Sequence, residues 1–361
     1  MHWFPERPGG LDRMYQSLVE SLPLAGVGVH GLVAGSSGVG AASSGAVEAF
    51  ADAGQGLPAR WMGMRTKTRE LLKRSQLDLV ASHFALYTFP VLDLIGWLPT
   101  VIHFHGPWAD EGAAEGGHAL SRMLKQRLEA SVYRRGNLHI VLSRAFGSVL
   151  EQRYGMSGDT IRVVPGCVDI ARFAVTASRS EARAAFGWPT DRPVVVAVRR
   201  LARRMGLENL VDAIVQVRKR EPEILMVIVG KGAMHAALAA RIKELGLERN
   251  VRLQGFVADE QLPLVYRAAD FSIVPTLALE GFGLAAVESL AAGTPVLVTP
   301  VGGLPEAVEG LSPELVLPDS SAPALARGMI AALSGELRLP GDDECRRYAR
   351  ERFDLPVISK L

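Results

Sequence analysis

The stretch L-A-L-E-G-F-G-L-A-A-V-E-S-L-A-A-G-T-P-V-L-V-T-P, residues 277–300, sets two carboxylates, Glu280 and Glu288, into a run that is otherwise small and apolar. Phe282–Ala292 is rich in helix formers, and Gly281 and Gly283 let a ligand approach the backbone closely at the start of that helix. A helix N-terminus offers unpaired amides and the positive end of the helix dipole, which together make an anion site. A diphosphate resting on the amides of Phe282, Gly283 and Leu284 would have a carboxylate on either side. Each could accept hydrogen bonds from hydroxyls, a sugar at one end and a ribose at the other. Two solvated glutamates near a helix start would account for Glu280 but poorly for Glu288, whose neighbours are Ala-Ala-Val and Ser-Leu-Ala-Ala. A buried carboxylate needs donors.

The helix is followed by P-V-L-V-T-P (295–300), the last of a series of near-continuous apolar runs that read as strands of a parallel sheet covered on both faces. The others in this series are I-R-V-V-P-G (161–166), P-V-V-V-A-V (193–198), I-L-M-V-I-V-G (224–230), N-V-R-L-Q-G-F (250–256) and A-D-F-S-I-V-P (269–275). An earlier series comprises V-G-V-H-G-L-V-A-G (27–35), L-D-L-V-A-S-H-F (77–84), T-V-I-H-F-H-G (100–106) and N-L-H-I-V-L-S (137–143), with helical segments between. The strandless segment 169–192 separates them. The expected architecture is therefore two doubly wound α/β domains, 1–168 and 169–361, facing across a cleft, because such domains bind ligands beyond the carboxyl ends of their strands. The final segment is expected to return towards the first domain. The Gly/Ser-rich stretch 34–46 reads as a flexible loop, since Ser43 stands where a dinucleotide fingerprint needs its third glycine.

Composition excludes several classes. The 361 residues carry 40 Lys plus Arg against 38 Asp plus Glu, so a net charge of +2 gives no pull towards nucleic acid. Cys167 and Cys345 are too few for a disulfide scaffold and fit a reducing compartment. The N-terminus M-H-W-F-P-E-R-P-G-G lacks a basic region followed by an apolar core, so no signal peptide is expected and the protein reads as cytoplasmic. The apolar run 84–102 contains Asp93, Pro90 and Pro99 and divides into a helix and a buried strand rather than a membrane span.

The pair Glu280 and Glu288, E-x7-E within E-G-F-G-L-A-A-V-E-S-L-A-A-G-T-P-V-L-V-T-P-V-G-G-L-P-E, resembles the signature of the retaining glycosyltransferases of family 4, which have the GT-B fold. The resemblance extends through R-V-V-P-G-C-V-D-I-A-R-F (162–173), G-F-V-A-D-E-Q-L-P-L-V-Y-R-A-A-D (255–270) and H-F-H-G-P-W (103–108). It implies two Rossmann-like domains, a nucleotide-sugar donor (UDP- or GDP-linked) on the C-terminal one, and a glycan, lipid or small-molecule acceptor on the N-terminal one. By this likeness Glu280 binds the donor sugar, Glu288 the ribose, and His105 the sugar as the active-site histidine. Gly9 and Gly10 would form a close-approach loop near the donor phosphates, behind a first strand shortened to Met1–Phe4.

V-R-R-L-A-R-R-M-G (198–206) is similar to the family's G-R-L-x-x-x-K-G element, whose arginine and lysine neutralise the diphosphate. Arg200 matches the arginine, but Arg199 stands for the glycine and Met205 for the lysine. Arg199, Arg203 or Arg204 would then have to supply the missing charge, worth about 4 kcal/mol at ~4 Å and an effective dielectric near ~20. No D-x-D pair occurs, so no metal or other cofactor is expected. His103 and His105 are read as pointing to opposite faces of a strand, and so as not easily sharing a metal. Arg60, Arg65, Lys67, Arg69, Lys73 and Arg74 on one helical segment (59–74), beside Trp61 and Met62, suggest either a solvated basic helix or peripheral contact with an anionic membrane or lipid-linked acceptor. Two rival functions share the architecture: a catalytically silent sugar-nucleotide binder and a sugar-nucleotide epimerase.

Overall fold

The computed structural model describes the whole chain apart from Pro5, Arg7, Pro8 and Gly117, and apart from the side chains of Ala113 and Ala114. Two of the four residues of R-P-G-G therefore lie outside the described residues. The chain divides into two compact units, Met1–Gly166 with Leu355–Leu361, and Cys167–Asp354. The change of domain falls two residues before the expected 168/169 boundary, and the last seven residues pack with the first unit.

The first unit holds β1 (Gly31–Ala34), β2 (Val47–Ala51), β3 (Val80–Ser82), β4 (Thr100–Phe104), β5 (Leu138–Val141) and β6 (Ile161–Val163). β1 and β2 pair in parallel, and β3-β4-β5-β6 form a second parallel sheet in that order. β6 belongs here and not with the later series of apolar runs: it is a half-exposed edge strand on β5, which its Val-Val composition does not reveal. β2 has no counterpart in the sequence reading, because V-E-A-F-A is short, carries a glutamate and two alanines, and follows directly on the Gly/Ser stretch. Within that stretch Val39–Ala42 forms one helical turn. The short first strand is reduced to a single bridge, His2 beside Ala34. In the first unit Trp3 is buried in one apolar cluster and Phe104, Val132 and Leu150 in another, each of the latter three contributing about 1.5–3 kcal/mol on leaving water.

The basic helix is Leu57–Arg74, and most of its charge is spent inside its own domain. Arg65 grips Asp93 through two hydrogen bonds of 2.6 and 2.7 Å. Lys67 bonds Glu70 at 3.0 Å, Arg74 pairs with Glu48, and Arg60 donates to the Tyr87 hydroxyl at 2.5 Å. Of the six, only the Arg69 and Lys73 side chains make no hydrogen bond or ion pair among the described residues. The apolar run 84–102 breaks into the turns Ala85–Thr88 and Leu92–Ile95 and then β4. No described helix is long and apolar enough to cross a membrane.

One buried acid sets a pH dependence. Glu129, on the helix Ala119–Tyr133, accepts hydrogen bonds from the hydroxyls of Tyr154 at 2.9 Å and Tyr133 at 3.4 Å. Burial outweighs these bonds and those from the amides of Ala109 and Trp108, and lifts its carboxyl to about 7. A raised folded-state value means that the folded form holds the proton more tightly. The stabilisation is complete below the unfolded value near 4.5 and is lost as pH rises through about 7. Chemical denaturation across that window should show the parent losing on the order of 3 kcal/mol relative to Glu129→Gln. Superimposable pH profiles for the two proteins would refute the assignment.

The second unit contains β7 (Val194–Val198), β8 (Leu225–Val229), β9 (Val251–Gly255), β10 (Phe271–Val274) and β11 (Val296–Val298), all parallel, in the order β11-β10-β7-β8-β9. β8, β10 and β11 are buried at every residue, which explains their unbroken apolar sequences. The order reverses between β7 and β10. That is the topological switch point of a Rossmann-type sheet, outside whose strand ends such domains bind ligands.

Candidate active site

At the switch point the chain leaving β7 carries Arg199, and the chain leaving β10 carries Thr276 and Glu280. Arg199 Nη2 donates to both Thr276 Oγ1 and Glu280 Oε2, and Thr276 Oγ1 donates to Glu280 Oε2 at 3.2 Å. The ion pair is well shielded, with the Arg199 side chain 8% exposed and that of Glu280 15%. Arg199 Nε is buried and has no hydrogen-bond partner among the described residues. A buried donor left unmatched inside a cluster of matched ones marks a place for an acceptor from outside the chain.

Backbone contacts fix the loop that carries Glu280. Arg204 Nη1 donates to the Leu279 carbonyl at 2.8 Å, and the Leu277 amide donates to the Arg204 carbonyl at 2.9 Å. The loop after β11 closes the other side, where the Gly303 amide bonds the Glu280 carbonyl at 3.0 Å. A Cβ on Gly302 would lie 1.9 Å from that carbonyl oxygen, so only glycine permits this approach. Leu279, directly before Glu280, sits at φ 59. A non-glycine residue there costs on the order of 1–3 kcal/mol and persists where its surroundings hold it.

The helix behind this loop begins two residues later than its composition suggests, at Leu284, and runs to Ala291. Gly283 is its N-cap at φ 90, and a Cβ there would meet Leu304 at 2.3 Å. Phe282 is buried with its ring against Phe353, centroids 5.3 Å apart, so its side chain packs and only its backbone is a candidate ligand group. Glu288 is 7% exposed and receives a hydrogen bond of 3.0 Å from the Tyr266 hydroxyl.

Among the basic residues expected here, Arg200 and Arg203 are exposed, and their side chains make no hydrogen bond or ion pair with described residues. Arg204 is committed to the Glu280 loop. Met205 is 7% exposed, in the 3-10 turn Arg203–Met205. Arg199, which stands where the family has glycine, is thus the cation that the fold sets beside Glu280. Tyr266 and Thr276 are the site residues that motif reading passed over. Thr276 lies one residue beyond a buried strand and its proline, a position at which a polar, fully buried side chain calls for a partner.

The first unit places its own candidates separately. Gly9, extended at φ -178, and Gly10 open the helix Gly10–Ser21, and both are exposed. His105 follows the last residue of β4, and strand alternation, with its period of two, sets it on the same side as His103, which corrects the expectation that the two face opposite ways. Its Nε2 lies 3.2 Å from Nδ1 of His83, and the His83 and His103 rings stack with centroids 4.1 Å apart. Burial is the chief cause that lowers all three imidazoles, His103 to about 4 and His105 to about 3, so they are neutral at pH 7. The positive N-terminus adds to the effect on His83 and His105.

A Rossmann-type domain with a carboxylate, an arginine and a glycine-capped helix at its switch point has the layout of a ligand-binding domain of a two-domain α/β protein. Sequence profiles agree: residues 178–352 match the glycosyl transferases group 1 profile and residues 8–172 the Glycosyltransferase Family 4 profile. The chain belongs to glycosyltransferase family 4 and has its GT-B fold of two Rossmann-like domains. It is 37% identical over 196 residues to mannosylfructose-phosphate synthase of Agrobacterium fabrum, covering 51% of this chain and 42% of that protein. It is 36% identical over 188 residues to D-inositol 3-phosphate glycosyltransferase of Segniliparus rotundus, covering 51% and 41%. The matched stretches thus span about two fifths of those relatives. Among solved structures, Anabaena HepE in complex with UDP superposes with a TM-score of 0.79 at 22% identity, covering 98% of this chain and 95% of that one. Sucrose-phosphate synthase of Thermosynechococcus elongatus gives 0.79 at 21% identity, covering 98% and 91%.

Proposed function

We propose that the chain is a retaining, metal-independent glycosyltransferase that moves a hexosyl group from a UDP- or GDP-sugar to a glycan, lipid or small-molecule acceptor. The observation that carries this reading is the Arg199–Glu280 pair at the switch point, with the Arg199 Nε still lacking an acceptor. Structures of HepE with UDP and with UDP-glucose support the donor class. In this reading Glu280 accepts hydrogen bonds from the sugar hydroxyls and Glu288, held by Tyr266, from the ribose. Arg199 and Arg200, with the amides of Phe282, Gly283 and Leu284, take the diphosphate. His105, neutral at pH 7, hydrogen-bonds the sugar, and Gly9 and Gly10 let the first domain's backbone approach the phosphates.

The acceptor hydroxyl attacks the face that the nucleotide leaves, and the departing phosphate takes its proton, so no protein nucleophile is required. Negative charge grows on that phosphate as the bond breaks, and preorganised cations there lower the barrier. With arginine supplying this charge, turnover should be unchanged in excess EDTA. Loss of activity in EDTA that added magnesium or manganese restores would overturn metal independence.

One observation favours a second reading. Glu280 is already paired with Arg199, and Met205 replaces a lysine, as a silent sugar-nucleotide binder would tolerate. Release of free nucleotide from a panel of sugar nucleotides, with and without acceptors, decides between them: a transferase turns over with an acceptor, whereas a binder shows only thermal stabilisation, about 2.7 kcal/mol at 100 times the dissociation constant.

A further inference from the structure

We propose that His83, His103 and His105 form a binding site for a borderline divalent transition-metal cation, typified by Zn2+, in the first domain. Their ligand nitrogens all lie within 4.8 Å of one another. Around a tetrahedral ion with Zn–N bonds of about 2.0–2.1 Å, neighbouring nitrogens stand about 3.3 Å apart. The 3.2 Å between His83 Nδ1 and His105 Nε2 already has that spacing. The third nitrogen, on His103, lies within 4.8 Å of the other two, and its ring stacks on theirs at interplanar angles of 21 and 20°.

The backbone explains why the three meet. β3 and β4 pair in parallel with Ser82 beside Ile102, so the next residues, His83 and His103, are neighbours at the carboxyl edge of the sheet. His105 follows at the end of the same strand. Tyr15 sets its ring edge-on to His83, centroids 5.2 Å apart, and braces the first ligand. The chemistry of the donors selects the ion. Imidazole nitrogen suits zinc, copper and nickel, whereas calcium and magnesium demand oxygen, and no carboxylate belongs to the group. Burial leaves the rings neutral with lone pairs available, and none of the three is fully enclosed, so an ion can enter and keep a fourth position for water.

The site shares His105 with the proposed sugar contact, so it is tested without substrate, by titrating the full chain with Co2+. A tetrahedral nitrogen site gives Co2+ a visible absorption far stronger than that of the hydrated ion. The expected result is saturation at one Co2+ per chain and bleaching by Zn2+. The signal should vanish in His103→Ala and in His83→Gln at concentrations that saturate the parent, and survive in His235→Ala of the second domain. Two substitutions guard against misfolding of either one, with the far-ultraviolet spectrum as the check. No absorption at excess Co2+, or a signal that persists in folded His103→Ala and His83→Gln, would overturn the proposal.

Discussion

Arg199→Gly is expected to lower kcat by about 100-fold or more, the magnitude of a lost transition-state donor, and Met205→Lys is expected to recover part of that loss. The pair of substitutions rebuilds the glycine and lysine of the family's element at positions 199 and 205. In the parent the guanidinium of Arg199 occupies the place beside Glu280, so Met205→Lys alone puts an ammonium where only 7% of the residue is exposed and where no anion is vacant. It should then leave kcat unimproved and cost stability through an unpaired buried charge. In the Arg199→Gly background Glu280 has lost its cation and keeps only Thr276, which makes a lysine at 205 useful. Removing one partner of a buried pair costs about 3–5 kcal/mol. The pair's partial exposure puts the loss at or below the low end of that range, so thermal unfolding must accompany the kinetics. Arg200→Ala, at an exposed position, should reduce kcat without that loss of stability. Full kcat in folded Arg199→Gly would remove Arg199 from the phosphate and strengthen the silent-binder reading.

The two glutamates should separate in calorimetry. Glu288→Ala is expected to weaken the free nucleoside diphosphate and the sugar nucleotide alike, by about 1.5–3 kcal/mol for a lost charged hydrogen bond, which is roughly tenfold to over a hundredfold in Kd. Glu280→Ala should weaken the sugar nucleotide by a similar factor. It should leave the nucleoside diphosphate as tightly bound as before, or more tightly, because Arg199 is freed from its carboxylate and offers its whole charge to the phosphates. Equal losses for both ligands in both variants would show that the carboxylates do not address different ends of the donor.

How much of this was legible in the sequence depended on where each constraint comes from. The strands of the second domain's sheet announce themselves because burial on both faces allows only apolar residues over their length. E-x7-E marks the loop and helix for the same local reason, with the glycines fixed by backbone approach. The choice between Arg199 and Arg200 was not local. Adjacent residues leaving a strand point to different sides, and which side holds Glu280 depends on β10 lying beside β7, seventy-odd residues later in the chain. The pairing of charge on the Leu57–Arg74 helix was hidden for a similar cause, since its partners Glu48 and Asp93 lie outside the segment. The histidine cluster needs both a strand register and a strand end to be known. Alternation puts His103 and His105, two apart, on one side, and the register of β3 against β4 adds His83.

The return of the chain to its starting domain bears on the order in which the protein can be built. Val168 and Asp354 form a parallel bridge, and the Val168 amide bonds the Phe353 carbonyl at 2.9 Å, so the two ends of the second domain are fastened side by side. The second domain is in effect a long insertion closed at its own neck. Residues 355–361, which pack against the Gly10–Ser21 helix with Ile358 buried, are synthesised only after that insertion is complete. During translation the first domain must wait, its helix face uncovered, while the second is able to fold and close. A chaperone or protease that meets the nascent chain therefore finds the domain made first in its unfinished state for longest.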